Sequence, residues 1–186
     1  MALQPYLTQI IDELTPAVAS IQEADMARLL EAILSAKTVF IAGAGRTGLA
    51  GKAFCMRLMH MGIDACVLGE TVTSNYTPED LLIVGSGSGE TGSLLTYATK
   101  AKAIGGNICA VTIKPDSTLG KLADFTIQMP GAVKDRSQGE GYPTIQPMGS
   151  LFEQALGLFY DAMILGIMAR KGLSNDKMYG KHANLE

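Results

Sequence analysis

Leu81-Leu82-Ile83-Val84-Gly85-Ser86-Gly87-Ser88-Gly89-Glu90-Thr91 is the stretch from which the fold of this chain is read. A short apolar run of strand length ends in alternating glycine and serine, and a helix-like segment opens after Thr91. Ser86, Ser88 and Thr91 bring three hydroxyls beside glycines that permit close backbone approach. Backbone N–H groups in such a turn, backed by the positive end of a helix dipole, form an anion site that suits phosphate above all. A nucleotide P-loop needs a lysine after the loop, and none follows. A nucleophile elbow needs glycines two positions either side of its serine, and neither Ser86 nor Ser88 has them. The plain alternative is a Gly/Ser turn without a ligand; three hydroxyls in one strand-to-helix turn favour the phosphate.

The same pattern extends in both directions. Upstream, Thr38–Ala42 reads as a buried strand, followed by Gly43-Ala44-Gly45-Arg46-Thr47-Gly48 and a helix from about Leu49 to Met61 that Gly62 ends. A second strand, Ile63–Leu68, leads into the polar loop Gly69–Asn75. Downstream, a helix over Gly92–Ile104 stops at Gly105-Gly106. Strands Asn107–Ile113 and Phe125–Met129 follow, with a short helix over Ser117–Ala123 between them. Strands alternating with helices predict an α/β fold with a parallel sheet covered on both faces. Ligands then bind at the carboxyl ends of the strands, where both Gly-rich loops lie.

The flanks are helical. Leu7, Ile10, Ile11, Leu14 and Val18 recur at helical spacing over Pro5–Ser20, with Pro16 expected to kink or interrupt the helix. That helix packs on its own domain or on a neighbouring subunit. Asp25 is the expected N-cap of a second helix over Met26–Ala36. Residues 130–147 show no periodicity and form a long loop. Leu151–Lys171 is a helix too apolar for a single buried stripe, and burial between the sheet and a partner subunit would explain it. Gly172 ends it, and residues 174–186 form a polar tail.

Composition narrows the function. A chain of 186 residues with 47% hydrophobic residues builds one domain with a proper core. The net charge of −3 and the lack of any basic run argue against nucleic acid as a partner, so an anionic ligand must be held by local donors. Cys55, Cys66 and Cys109 are scattered and odd in number, and with two histidines they offer no metal-ligand spacing. Free thiols suit a reducing, cytoplasmic compartment. The N-terminal residues do not read as a signal peptide, and no apolar run free of polar breaks reaches membrane-spanning length.

Candidate site residues each carry a plainer reading. Gly43, Gly45 and Gly48 satisfy G-x-G-x-x-G, but Glu70 falls late for the acidic partner of a dinucleotide site, and the second loop is then surplus. Arg46 points a guanidinium toward the same sheet edge, or is a solvated charge. Two loops with hydroxyls and an arginine suit one phosphorylated ligand better than a pyrophosphate. Ser150-x-x-Glu153 has the spacing of a capping box, in which Ser150 caps the helix and Glu153 reaches back to the Ser150 N–H. His60, near a helix C-terminus, reads as a capping or core histidine, and His182 as a solvated tail residue. The methionines on apolar helices read as core filler.

Taken together, several stretches resemble the 6-phospho-3-hexuloisomerases, members of the sugar isomerase (SIS) class. They are Gly43–Leu49, the run Met56-Arg57-Leu58-Met59-His60-Met61-Gly62, Gly69-Glu70-Thr71, Gly85–Thr91, Pro147–Glu153 and His182–Glu186. The resemblance runs in order along nearly the whole chain. It implies a single SIS domain over residues 1–186, with a core at about 29–172, an N-terminal helix and a C-terminal tail. The implied fold is a five-stranded parallel sheet between helices, a flavodoxin-like three-layer sandwich, assembled as a homotetramer. The implied reaction interconverts D-arabino-hex-3-ulose 6-phosphate and fructose 6-phosphate through a cis-enediol, with no metal or organic cofactor. A hexulose phosphate synthase joining formaldehyde to ribulose 5-phosphate would supply the substrate. The glutamate that the family takes as its base matches Glu153; for proton exchange on the oxygens the candidates are His60 or His182, the latter delivered from a neighbouring subunit. The family's phosphate loop maps onto Ser86, Gly87, Ser88, Gly89, Glu90 and Thr91, with Thr47 in the first loop as another substrate contact; Gly45 and Arg46 of that loop are read as substrate contacts from their place beside it. Thr47 stands where the family more often has Ser, and Lys181 where it more often has Arg. Alternatives are another SIS phosphosugar isomerase or a non-catalytic phosphosugar-binding SIS domain.

Overall fold

Five short apolar runs pair into one parallel sheet: β1 (Val39–Gly43), β2 (Ala65–Val67), β3 (Leu81–Gly85), β4 (Asn107–Thr112) and β5 (Phe125–Gln128). The structure is a computed structural model that describes residues 2–132, 142–182 and 185. Strand order is β2-β1-β3-β4-β5. Central β3 is buried at every position, as a strand covered on both faces must be. Alternate residues serve opposite cores. Val39, Ile41, Leu81, Ile83, Cys109 and Val111 face one apolar cluster, whereas Phe40, Ala42, Leu82, Val84, Ile108 and Ala110 face the other.

The first core is roofed by α2 (Glu23–Ser35), α3 (Gly45–His60) and α6 (Ser150–Lys171), with α1 (Gln4–Ala19) laid against α6. The second is closed by α4 (Gly92–Ile104) and α5 (Thr118–Leu122). A short α7 (Asn175–Tyr179) comes last, started by Ser174, whose hydroxyl accepts the Lys177 N–H. The polar tail thus contains a helical turn that its composition concealed.

Register places the two Gly-rich loops together. Gly43 pairs with Gly85, so β1 and β3 end level with one another. Strand order also reverses between them, since the chain leaves β1 for β2 on one side and returns to β3 on the other. A ligand crevice lies outside the carboxyl ends at such a switch point.

Several boundaries differ from expectation. α3 starts at Gly45, not Leu49, so the glycine motif forms the first helical turn. A Cβ on Gly48 would stand 2.7 Å from the Gly43 carbonyl oxygen, which makes Gly48 the glycine that lets helix and strand touch. Gly62 (φ +72°) then ends the helix in the left-handed region. α1 runs through Pro16 instead of breaking. Pro16 and Asp12 are both exposed, so the missing hydrogen bond falls where water can replace it. α2 begins at Glu23 after Gln22; Asp25 is not the cap but an acidic residue in the first turn, favoured there by the dipole. α1 packs on its own domain, with Ala17 buried and Leu14 and Val18 against the core.

α6 corrects two readings. By length and composition it could cross a membrane (22 residues, mean hydropathy 1.4), contrary to the expectation that no run is long enough. Half of that stretch is buried inside the domain, between the sheet and α1, α2 and α3, which accounts for the apolarity of that half, while Leu158 and Leu165 stay exposed. Its N-cap position is Gly149, with Ser150 already inside the helix, so Ser150 does not take the capping position. Of the loop at 130–147, residues 133–141 lie outside the described residues.

Candidate active site

At the switch point a cavity of about 430 Å³ opens between the loop after β1, the loop after β3 and the first turn of α6. Its polar lining is Thr47, Ser86, Ser88, Thr91 and the carboxylate of Glu153, its apolar lining Leu94, Ile113 and Phe152. Polar donors converging in a partly apolar concavity are the usual composition of a small-molecule site.

The β3 loop is held by its own bonds. The Ser86 hydroxyl accepts the Gly89 N–H at 3.2 Å and lies 3.4 Å from the Thr91 hydroxyl, while Ser88 Oγ accepts the Glu90 N–H at 3.2 Å. Gly89 takes a positive φ (+68°) to close the turn. The Glu90 carboxylate accepts the Thr118 N–H at 2.8 Å. That bond holds its pKa below the usual carboxylate value. Among the residues expected to touch substrate, Gly45, Thr47, Ser86, Gly87, Ser88 and Thr91 line the cavity, whereas Gly89 and Glu90 are not in its wall. Thr47 is buried, and its methyl lies 2.9 Å from where a Cβ on Gly85 would sit, so Gly85 must lack a side chain for Thr47 to reach the site.

Arg46, also expected to touch substrate, is likewise not in the wall but contacts two residues of α6. Its Nη1 lies 3.1 Å from Glu153 Oε2 and donates to Ser150 Oγ at 3.1 Å. The Glu153 side chain is 8% exposed and that of Arg46 58%, so a nearly buried carboxylate is held by a cation reaching in from the surface. The pair that reads as a capping box is therefore the pair that Arg46 grips. Spacing alone does not separate these roles, because a cap and a gripped pair both place Ser and Glu on one helical turn.

The histidines lie elsewhere. His60 closes α3, and Arg46 lies in its first turn; fourteen steps of about 1.5 Å separate the two by about 21 Å. His60 is buried, 3.3 Å from Arg57, and its ring stacks on His182 at 5.4 Å between centroids, with Tyr179 stacked on His182 in turn. Burial, then the Arg57 charge and His182, pushes the His60 pKa below its ordinary 6.5. Within one chain neither histidine shares the cavity with Glu153. Reading Gly45–His60 as one unbroken helix would have placed them at opposite ends from the sequence. Sequence reasoning also missed the apolar wall, since Leu94, Ile113 and Phe152 carry no chemical signature. Among the described residues no three His, Cys, Asp or Glu side chains group as a metal site would need.

A family model described as the SIS domain matches residues 32–156. The 3-hexulose-6-phosphate isomerase of Bacillus subtilis (strain 168) is 52% identical over 186 residues, covering all of both chains. The chain belongs to the SIS domain family and, within it, to the 3-hexulose-6-phosphate isomerases. The Methanocaldococcus jannaschii 3-hexulose-6-phosphate isomerase is 41% identical over 157 residues, 84% of this chain and 82% of the relative. A crystal structure of a Methanococcus jannaschii protein, whose description infers a function of 3-hexulose-6-phosphate isomerase, superposes with a TM-score of 0.83 at 35% identity, covering 98% of this chain and 99% of that one. This SIS domain therefore has relatives over its full length, including both loops and the α6 turn that build the cavity.

Proposed function

We propose that the chain interconverts D-arabino-hex-3-ulose 6-phosphate and fructose 6-phosphate, with Glu153 as the carbon base. The observation that carries this reading is Glu153 itself: a carboxylate 8% exposed, fixed by Arg46, lining the same cavity as the hydroxyls of Thr47, Ser86, Ser88 and Thr91. Moving a carbonyl from C3 to C2 removes the C2 proton, passes through a 2,3-enediol and returns a proton to C3. One carboxylate on one face of a cis-enediol serves both carbon steps. The electrons stay within the substrate, so the proposal gives every transfer to a side chain and none to a cofactor.

Ser86, Ser88 and Thr91 would hold the phosphate, with α4 behind them, and Thr47 and the Gly45 backbone would contact the sugar end. Their work is orientation. Proton exchange on the oxygens is assigned to His60 and His182 of a neighbouring subunit, because one chain keeps its own pair at the far end of α3. Exposed Leu3 just before α1, Leu7 and Ile11 on it, Leu49, Met56 and Met59 on α3, and Leu158 and Leu165 on α6 supply apolar surface for such an assembly, proposed to be a homotetramer. The wider setting of the proposal is cytoplasmic, downstream of a synthase that joins formaldehyde to ribulose 5-phosphate.

A coupled assay tests it. Formaldehyde, ribulose 5-phosphate and a separate hexulose phosphate synthase generate the substrate, and fructose 6-phosphate is followed with and without this protein. Product only in its presence supports the reading. Folded protein that makes none discards it in favour of another phosphosugar isomerase or a phosphosugar-binding SIS domain.

A further inference from the structure

A carboxylate outside the cavity holds the chain that leads into α6. Glu13 lies on α1, more than a hundred residues before its partners in sequence. Its Oε2 accepts the Thr144 hydroxyl at 2.6 Å and the Gln146 side-chain amide at 3.0 Å, and its Oε1 accepts the Ile145 N–H at 2.8 Å. Thr144 Oγ1 also accepts the Gln146 N–H at 3.0 Å, so three successive residues are tied to one another and to α1. Gln146 is buried although its neighbours Ile145 and Met148 are more than half exposed. Three donors converging on one half-buried carboxylate outweigh the effect of burial and leave its pKa below 4.5.

Between the tied residues and Glu153 the chain is short and constrained. Pro147 has its φ set by its ring, and its carbonyl accepts the Ser150 N–H at 3.1 Å. Met148 has φ +59°, a left-handed conformation that a methionine keeps only where its surroundings hold it. Gly149 lines the cavity, and its carbonyl accepts the Glu153 N–H at 3.0 Å. The run from Thr144 to Glu153 is thus bonded or conformationally restricted along its length: Arg46 and the burial of Leu151 and Phe152 hold its helical end, and Glu13 holds its other end to α1.

We infer that Glu13 is a positioning residue for the reaction: it anchors residues 144–146 to α1 and so sets where Gly149, Ser150 and Glu153 stand against the cavity. The inference rests on the isomerase reading for its kinetic consequence, but its anchoring half does not. With the anchor gone, the strained Met148 turn relaxes and Glu153 departs from its place, while the Ser86–Thr91 loop, carried by β3 and α4, is untouched. The kinetic signature is a fall in kcat with KM for the phosphosugar nearly constant.

The test uses the full chain with Glu13→Gln, which keeps one acceptor oxygen, Glu13→Ala, which keeps none, and Leu14→Ala as a neighbour on α1 that packs against the core instead. Assays run well below the melting temperature of each variant. The inference expects kcat to fall about ten- to a hundredfold in Glu13→Ala, by an intermediate factor in Glu13→Gln, and by less than about twofold in Leu14→Ala, even if Leu14→Ala melts lower. Amide hydrogen exchange over residues 144–153 should quicken in the Glu13 variants and not in Leu14→Ala. Glu13 variants with wild-type kcat, or unchanged exchange in that segment, overturn the inference. Wild-type protein that fails to turn over the hexulose phosphate overturns the isomerase reading instead, and the exchange comparison then decides the anchor alone.

Discussion

Replacing Arg46 with Met removes the guanidinium while keeping much of its aliphatic length, and so isolates what that group does. Two contacts go: the 3.1 Å pair with Glu153 and the 3.1 Å bond to Ser150. Unit charges about 4 Å apart near a protein surface attract by about 4 kcal/mol before screening. Arg46 is 58% exposed, and exposed pairs retain only about 1 kcal/mol after solvent, salt and side-chain entropy are counted. Glu153 at 8% exposure moves the figure toward that of a charged hydrogen bond, about 2 kcal/mol. A loss of about 1–2 kcal/mol in holding the base corresponds to roughly a 5- to 30-fold fall in kcat. KM should change by less than about threefold, because phosphate is assigned to Ser86, Ser88 and Thr91. Steady-state kinetics in the coupled assay, at low and high salt, read both constants. A rise in KM with kcat intact would instead make Arg46 a substrate ligand. No change in either would refute the positioning role.

Three other outcomes come from the packing. Gly85→Ala places a methyl 2.9 Å from the Thr47 methyl and 3.5 Å from the Tyr160 hydroxyl, so it should cost about 1–3 kcal/mol in denaturant unfolding and raise KM by displacing Thr47. Burial pushes the Cys55 thiol up to about 11 and Cys109 higher still, whereas Cys66 is partly exposed, so a thiol reagent at pH 8 should titrate Cys66 quickly in native protein and all three cysteines only after unfolding. His60 is depressed in the folded state, so its contribution to stability is complete above its ordinary 6.5 and lost as pH falls through the folded value. His60→Asn should flatten the pH dependence of the melting temperature below pH 6.5.

Much of the architecture was legible because β1 and β3 are apolar runs ending in glycine and the helices after them, like α6, stop at one. β3 and its loop, the helix ends at Gly62, Gly105 and Gly172, and the α/β alternation required only local pattern. Strand order is not local, so the apposition of the Gly43 and Ser86 loops at the switch point emerged only with the sheet. The start of α3 was hidden because glycines disfavour helix on propensity, yet here they open one where the chain must pass close to β1. Glu153 was visible as a residue and invisible as a role, since a capping box and a pair gripped by Arg46 share the same spacing. Glu13 gave no signal at all. Its partners lie 131 to 133 positions away, and nothing about a glutamate on an amphipathic helix marks it as an anchor.

The most direct test of the account asks whether Glu153 moves the carbon proton. Fructose 6-phosphate incubated with the protein in D₂O is examined by NMR for loss of the C3 proton, the position that the 2,3-enediol exposes in this direction. Wild-type protein should introduce deuterium at C3, and Glu153→Gln should introduce none while still folding and binding phosphate. Deuterium at C3 from Glu153→Gln at the wild-type rate would contradict the assignment and leave Glu153 a structural residue at the start of α6.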